Sequence, residues 1–425
     1  MASIKKRGNS YRVIVSNGRD MSGKQIIETA TFTPDPEKTE KQNQKALDIF
    51  ALEFEQKVKS GKYLDGEKLK YADYIPLWLK DYAQKQMEQT SIERCESSLN
   101  GIIIPAIGHL KMAGIMPLHI QGLYDNLLEK GYMSNGTKKQ YSNNTIKRIH
   151  QIISSTLSIA VQWQLIESNP CQRVKPPKVE KSANVKHFTL EEAQIFLKEL
   201  DKPYTVSHCG RQRKDGSPSA KHYETKNVPL QYKVFFHMAL FGGFRRGELI
   251  ALKWSDIDFN KGIVSITKSS ARTKKGIITK VPKSYSSNRT VSLPLDTMKL
   301  IKSYKVEQSK YRLSLGTAWQ GDNYIFIQDD GKQMDLSTPN KMFKKIVNRY
   351  NETAKEEDQL SEITLHGLRH TSATLLIAQN IDVKTVSGRL GHSECSTTMD
   401  IYAHALKKQD EIASQSLGDL FKHGS

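Results

Sequence analysis

Cysteine is scarce in this sequence: four in 425 residues, at Cys95, Cys171, Cys209 and Cys395, with no C-x-x-C pair. That argues against a disulfide framework and for a reducing compartment, so a cytoplasmic location is expected. Long apolar runs are missing as well. No stretch approaches the ~18 uninterrupted apolar residues of a membrane span. The basic N-terminal MASIKKRGNSYRV is followed by no apolar segment that would make it a secretion signal. Acidic residues are the minority charge, 45 against 64 lysines and arginines, for a formal charge of +19. Apolar residues are also few, 37%, but they recur with helical and strand periods, which excludes a mainly disordered chain. What is there is a basic, multidomain protein whose default partner is a polyanion, most often nucleic acid.

At roughly 100–200 residues per domain the length holds two to four domains. Residues 1–62 read as a small α+β unit. Ser3–Lys6 and Ser10–Val15 flank the turn residues Arg7-Gly8-Asn9, a third strand covers Gln25–Thr33, and a helix over 36–60 stripes the sheet with Ala46, Phe50, Phe54 and Val58 up to a stop at Gly61. Lys5, Lys6, Arg7 and Arg12 are its candidate phosphate contacts. Residues 69–170 read as all-helical. Tyr74, Trp78 and Tyr82, then Ile92 and Leu99, then Ile120 to Leu128 behind Pro117, then Ile146 to Val161 behind a cap at Asn143 or Asn144, mark four apolar stripes. Lys138, Lys139, Lys147 and Arg148 lie between stripes. Residues 171–186 lose all periodicity and carry Lys175, Lys178 and Pro176-Pro177, the composition of a basic, extended linker. Residues 187–425 mix helices with a few strands. Thr189-x-x-Glu192 opens a helix, Ile263–Thr267 and Thr290–Leu293 are strand-like about a long polar stretch, and Thr205–Val228 reads as a surface insertion.

Chemistry-bearing residues concentrate in this last unit. FGGFRRGE places Arg245 three residues before Glu248, one helical face on which a carboxylate can orient a guanidinium. Lys283 follows in a hairpin loop of the basic Ser269–Arg289 region, with Lys274, Lys275 and Lys280 near it. LHGLRH holds His366 and Arg369 on one face, with His370 expected to point elsewhere. LGH carries His392, and Tyr402 follows ten residues later. Each fragment alone has a bland reading: an ion pair, a wet lysine, a core tyrosine. A zinc site at His208, Cys209 and His222 lacks a fourth ligand and matches no standard spacing, and Asp256 and Asp258 form no two-metal carboxylate cluster.

In their order and local contexts these fragments together resemble the tyrosine recombinase, or phage-type integrase, family. Arg245 in G-F-R-R-G-E, Lys283, His366 and Arg369 in H-G-L-R-H, His392 in L-G-H and Tyr402 in I-Y-A-H carry the likeness. It covers the whole last unit and extends upstream through WQLIESNP. Phe244, where leucine or methionine is usual, and the Thr205–Val228 insertion depart from the pattern.

The resemblance implies the tyrosine recombinase fold: an arm-binding domain at 1–62, an all-α, SAM-like core-binding domain at 69–170, and a mainly-α catalytic domain with a small sheet at 187–425. It implies cleavage and rejoining of DNA through a covalent 3′-phosphotyrosyl bond on Tyr402. Arg245, Arg369 and His392 would hold the phosphate, His366 and Lys283 would move protons, and Glu248 would buttress Arg245. No cofactor or metal is implied. The partners implied are double-stranded DNA with core-type and arm-type sites, three further copies in a synaptic tetramer, an excisionase-type directionality factor and a host DNA-bending protein. In such a complex the two larger domains clamp opposite sides of the duplex, and a C-terminal helix over 405–421 docks on a neighbouring protomer or on its own catalytic domain. The N-terminal unit favours an integrase of a mobile element. A type IB topoisomerase shares the chemistry, and a DNA-binding regulator with a degenerate catalytic domain is the reading from outside the enzymes.

Overall fold

The computed structural model describes residues 2–19, 23–59, 68–134, 137–179, 186–208, 222–281 and 288–392, with Met399 and Ser414. The chain divides into two compact units, Met1–Glu180 and Lys181–Ser425.

In the first unit, β1 (Ser3–Arg7), β2 (Ser10–Arg19) and β3 (Gln25–Phe32) form an antiparallel sheet in that order, covered by α1 (Glu40–Lys59). Val13 and Val15 are buried beneath Leu47, Ala51, Phe54 and Val58. Leu47, not Ala46, belongs to the buried stripe, because steps of three and four residues keep a 3.6-residue helix on one face where strict fours drift off it. Register pairs Lys5 with Arg12 and Arg7 with Ser10, so Lys5, Arg7 and Arg12 share the face away from α1, all exposed. Lys6 alternates to the other face, its ammonium 6.0 Å from the Tyr11 ring centre. Gly61 lies outside the described residues.

The helical part has its own core of Tyr71, Tyr74, Trp78, Leu99, Ile103, Ile120, Tyr124, Ile146, Ile149, Ile153 and Leu157. Helix α2 (Tyr71–Trp78) runs through a π turn at Leu79–Ala83 into α3 (Gln84–Gln86). Helix α4 (Gln89–Ser98) runs through another at Leu99–Ile103 into α5 (Ile104–Ile107). The second widening comes just ahead of Pro105, which has no N–H to donate. Then come α6 (Pro117–Lys130), a hairpin of β4 (Tyr132–Ser134) and β5 (Thr137–Lys139), and α7 (Asn143–Gln162). The hairpin corrects the all-α expectation; its signal was Asn135-Gly136 between the strands. The α7 cap is Ser142 rather than an asparagine, its Oγ accepting from Thr145 N at 3.3 Å, while Asn143 donates to the Lys178 carbonyl at 2.8 Å. The chain stays packed on this core through Cys171 and Val174. Lys147, Arg148, Lys175 and Lys178 are exposed; so is Lys139, and the Lys138 side chain is not among those described.

The second unit opens with α8 (Leu190–Glu199), capped as its sequence predicts: Thr189 N donates to Glu192 Oε2 at 2.7 Å and Glu192 N to Thr189 Oγ1 at 3.2 Å. The described ends of the insertion pair as β6 (Tyr204–His208) and β7 (His222–Lys226), with His208 opposite His222; Cys209 lies outside the described residues. Then follow α9 (Leu230–Gly242), α10 (Arg246–Ala251), β8 (Ile257–Asp258), β9 (Ile263–Ile266), β10 (Ser269–Thr273), β11 (Gly276–Lys280), β12 (Arg289–Ser292), α11 (Leu295–Leu315), α12 (Thr338–Asn351), α13 (Gly367–Ala378) and α14 (Val383–Leu390). The three-stranded sheet is ordered β12, β9, β8, and β10 and β11 form a separate hairpin within the basic 269–289 stretch expected to be a hairpin region. Lys274 and Lys275 occupy its turn; Lys283 lies outside the described residues. Helix α9 buries Val234, Phe235, Phe236, Met238, Ala239 and Leu240, the pattern of a helix enclosed on all sides. Around it Phe188, Phe196, Phe326 and Phe343 interlock with Phe235 and Phe236, the Phe235 and Phe326 ring centres 4.9 Å apart. Among the described residues no helix is long and apolar enough to cross a membrane.

One buried network tests the helical core. Tyr71 Oη lies 2.8 Å from Thr156 Oγ1, which itself donates to the Ile153 carbonyl at 2.8 Å. Thr156→Val keeps the shape but strips Tyr71 of its acceptor, at a cost of about 1–3 kcal/mol in urea unfolding. Adding Tyr71→Phe should recover most of that loss, and additive losses in the double variant would refute the pairing.

Candidate active site

The site begins where α9 ends. Gly243 closes the helix in the left-handed region, φ 62°, and a Cβ there would sit 2.7 Å from Leu390 Cδ2. The Gly243 turn delivers Arg245 to the N-cap of α10 in an extended conformation. Arg245 and Glu248 therefore do not share a helical face, as the spacing suggested. They form a cap: Arg245 N donates to Glu248 Oε2 at 2.9 Å, and Arg245 Nη1 donates to Oε1 at 2.9 Å.

The same carboxylate takes a second guanidinium. Arg289, at the head of β12, donates from Nη2 to Oε2 at 2.8 Å and from Nη1 to Oε1 at 3.2 Å. Glu248 thus accepts four hydrogen bonds, the capacity of an ionised carboxylate. Burial is the largest single influence on its pKa and pushes it up. The hydrogen bonds and charges of Arg289 and Arg245 together outweigh burial, and the pKa falls below the usual carboxylate value. The Glu248 and Arg289 side chains are 3% and 6% exposed, whereas Arg245 is 37% exposed.

The last carbonyls of α14 and the turn after it hold the remaining cations. Arg289 Nε donates to the Arg389 carbonyl at 2.7 Å, Arg369 Nη2 to that of Leu390 at 2.7 Å, and Arg245 Nη2 to that of Gly391 at 3.1 Å. These three consecutive acceptors belong to the negative end of a helix, where orphan carbonyls attract cations. Arg369 also donates to the Gly243 carbonyl at 2.7 Å, and Arg389 to those of Phe241 and Ser292 at 2.7 and 2.9 Å. Gly391 is left-handed, φ 68°, and a Cβ on it would sit 2.9 Å from Arg289 Nη1. The glycine of L-G-H is thus where the chain turns against a guanidinium to present His392.

His366 caps the start of α13, and Arg369 lies in its first turn. His370 does not point away, as its adjacency to Arg369 suggested. Its ring meets that of His366 at 4.8 Å between centres and at 90°, the reach of an i, i+4 pair. Burial, then the charges of Arg369 and Arg245, hold the His366 pKa below the ordinary histidine value. Burial and the same arginines bring His392 to about 4. Burial, then His366 and Arg369, bring His370 to about 4. At neutral pH all three rings are uncharged in this field.

Of the residues singled out from sequence, Arg245, Glu248, His366, Arg369 and His392 converge here. Arg245 and Arg369 differ in access, the second being only 2% exposed. Tyr402 and the 405–421 helix lie, with Lys283, outside the described residues. Lys5, Lys6, Arg7, Arg12, Lys147, Arg148, Lys175 and Lys178 belong to the first unit. Sequence reasoning missed Arg289, Arg389 and the His370 contact. A signal for Arg289 existed: residues 289, 291 and 293 alternate onto one face, and Val291 and Leu293 are core. Among the described residues no group of three ligating side chains could hold a metal ion.

The chain matches the phage integrase family over residues 220–409 and the phage integrase N-terminal SAM-like domain over 70–128. The tyrosine recombinase XerC-like protein of Caldanaerobacter subterraneus subsp. tengcongensis is 27% identical, covering 98% of each chain. The ICEBs1 integrase of Bacillus subtilis is 28% identical over 66% of each. Among solved structures, the Tn1549 transposon integrase in complex with a circular intermediate DNA is similar in fold, with a TM-score of 0.60 at 17% identity, covering 81% of this chain and 100% of that one. The first family match spans Arg245, Glu248, Arg289, His366, Arg369 and His392, the residues that the fold brings together here, and the chain belongs to the phage integrase family of tyrosine recombinases.

Proposed function

We propose that this recombinase integrates and excises a mobile element by cutting and rejoining DNA through a 3′-phosphotyrosyl bond. The observation that carries the reading is the imbalance of charge in the site: Arg245 and Arg289 share one buried carboxylate, Glu248, and Arg369 is seated on the same turn that holds them both. Such a cluster is suited to an anion with several oxygens, and guanidiniums remain charged at any working pH. Arg245, the exposed member, makes the first contact with the scissile phosphate.

In this reading the Tyr402 phenolic oxygen attacks phosphorus, the Tyr402–phosphorus bond forms, and the bond to the 5′-oxygen breaks. The phenolic proton passes to His366, which is uncharged and able to accept it. Lys283 gives a proton to the departing 5′-oxygen. Arg245, Arg369 and a hydrogen bond from His392 stabilise the charge that develops on the non-bridging oxygens, a contribution of about 2.7–4 kcal/mol per donor in comparable sites. The phosphotyrosyl ester conserves the bond energy, so rejoining is the same chemistry in reverse and calls on no nucleotide cofactor. Four protomers on two duplexes complete the exchange. The face of the N-terminal sheet bearing Lys5, Arg7 and Arg12 reads a separate arm-type site, and a directionality factor and a host bending protein set the outcome.

A nicked suicide duplex spanning the end of the element that encodes the chain should trap Tyr402 on a 3′-phosphate, with or without EDTA. An adduct that persists in Tyr402→Phe would overturn the nucleophile, and abolition by EDTA would overturn the metal-free scheme. With sub-saturating duplex, where rates report groups of the free protein, the acid limb of cleavage should lie below the ordinary histidine value of 6.5. A limb at or above 6.5 that vanishes in His366→Gln would contradict a neutral His366. Lys5→Glu with Arg12→Glu should weaken arm-site binding and leave core-site cleavage intact; equal loss of both would refute the arm-binding role.

A further inference from the structure

We infer that Arg289 is a positioning residue of the active site, holding both the phosphate-binding Arg245 and the turn that carries His392. The inference deepens the recombinase reading and rests on it. Arg289 has three anchors on three elements. Its two terminal nitrogens take both oxygens of Glu248 on α10, and Nε takes the Arg389 carbonyl at the end of α14. Its own backbone belongs to β12, paired with Ile266 of β9. The guanidinium also lies 6.0 Å from the centre of the Phe244 ring, next to Arg245 in sequence. The side chain is 6% exposed, too covered to be the group that first meets DNA.

Geometry separates its task from that of Arg245. Without Arg289 the carboxylate is held by the Arg245 amide and guanidinium alone, two donors of the one residue it has to orient. Arg289 fixes the plane of the carboxylate by a two-point grip, so the Arg245 nitrogens that face Glu248 and Gly391 are set in direction as well as distance. Through Nε, and through its approach to Gly391, the same side chain fixes the turn from which His392 follows. Only a planar fork with three donors can span these anchors; a lysine ammonium at this position carries the charge without the geometry.

The test uses the full-length chain and a nicked suicide duplex whose scissile linkage is either phosphate or methylphosphonate. In methylphosphonate a methyl group replaces one non-bridging oxygen, and the ground-state charge is gone. Arg289→Met should slow adduct formation on phosphate by about 100-fold, the scale expected when a reacting group is displaced by an ångström, with duplex affinity unchanged. On methylphosphonate, which draws less on an oriented Arg245, that loss should shrink by about tenfold. Arg289→Lys should regain the melting temperature of the wild-type chain but not its rate. Glu248→Gln combined with Arg289→Met should be no slower than the worse single variant, because the two act as one unit. Equal losses on both linkages, full recovery of rate by lysine, or multiplying losses in the double variant would each overturn the inference. A wild-type chain that forms no adduct on phosphate would instead sink the recombinase reading, and this inference with it.

Discussion

The sharing of one buried carboxylate by two guanidiniums is the contact on which the second unit turns. Glu248 caps α10 through the Arg245 amide, orients the Arg245 side chain and neutralises Arg289 inside the protein. Burial of Glu248 opposes ionisation, but four donors and two positive charges favour it and win. Losing one member of such a buried set costs about 3–5 kcal/mol, because an uncompensated charge is left behind. Helix start, strand β12 and the end of α14 are tied at this point, so the stability of this unit and the geometry of the candidate site have a common origin.

Burial, reinforced by the excess positive charge of the cluster, also explains its histidines. A ring placed among guanidiniums and out of water resists a further proton, so His366 and His392 stay neutral where an exposed histidine would begin to charge. Cations elsewhere have a different standing. Lys5, Arg7, Arg12, Lys147, Arg148, Lys175 and Lys178 are solvated on the first unit, where salt screens exposed charges. The formal +19 therefore covers two kinds of cation, one screened and exchangeable, one built into the fold.

Legibility in the sequence followed the distance over which each interaction acts. The Thr189–Glu192 box, the α1 covering of the first sheet, and the grouping of Arg245 with Glu248 and of His366 with Arg369 rest on neighbours three or four residues apart, which a linear reading captures. Even there, Glu248 serves a cap rather than a helix face. His370 was within the same reach, at i, i+4 from His366, yet its adjacency to Arg369 drew attention to the wrong side. Arg289 is 41 residues from Glu248, and no local pattern announces a partner at that range. Its place on the apolar side of β12 was visible, but the meaning of a charge there depends on what the strand packs against. The basic stretch before β12 was legible as a hairpin region, but the bounds of β10 and β11 were not, because its lysines and threonines mark a strand pair only once the pairing is known.

The three acceptors that end α14 are backbone oxygens, and every amino acid has one. Arg289, Arg369 and Arg245 are therefore seated by the path of the chain at positions 389, 390 and 391. A change at Leu390 would be felt through packing against Gly243, not through the loss of a ligand for Arg369. Gly391 is bound by its own identity, since its φ of 68° and the adjoining guanidinium leave no room for a Cβ. The seats of the three cations are thus fixed by where the helix stops, and Arg389, through the Phe241 and Ser292 carbonyls, and buried Leu390 keep that stop in place.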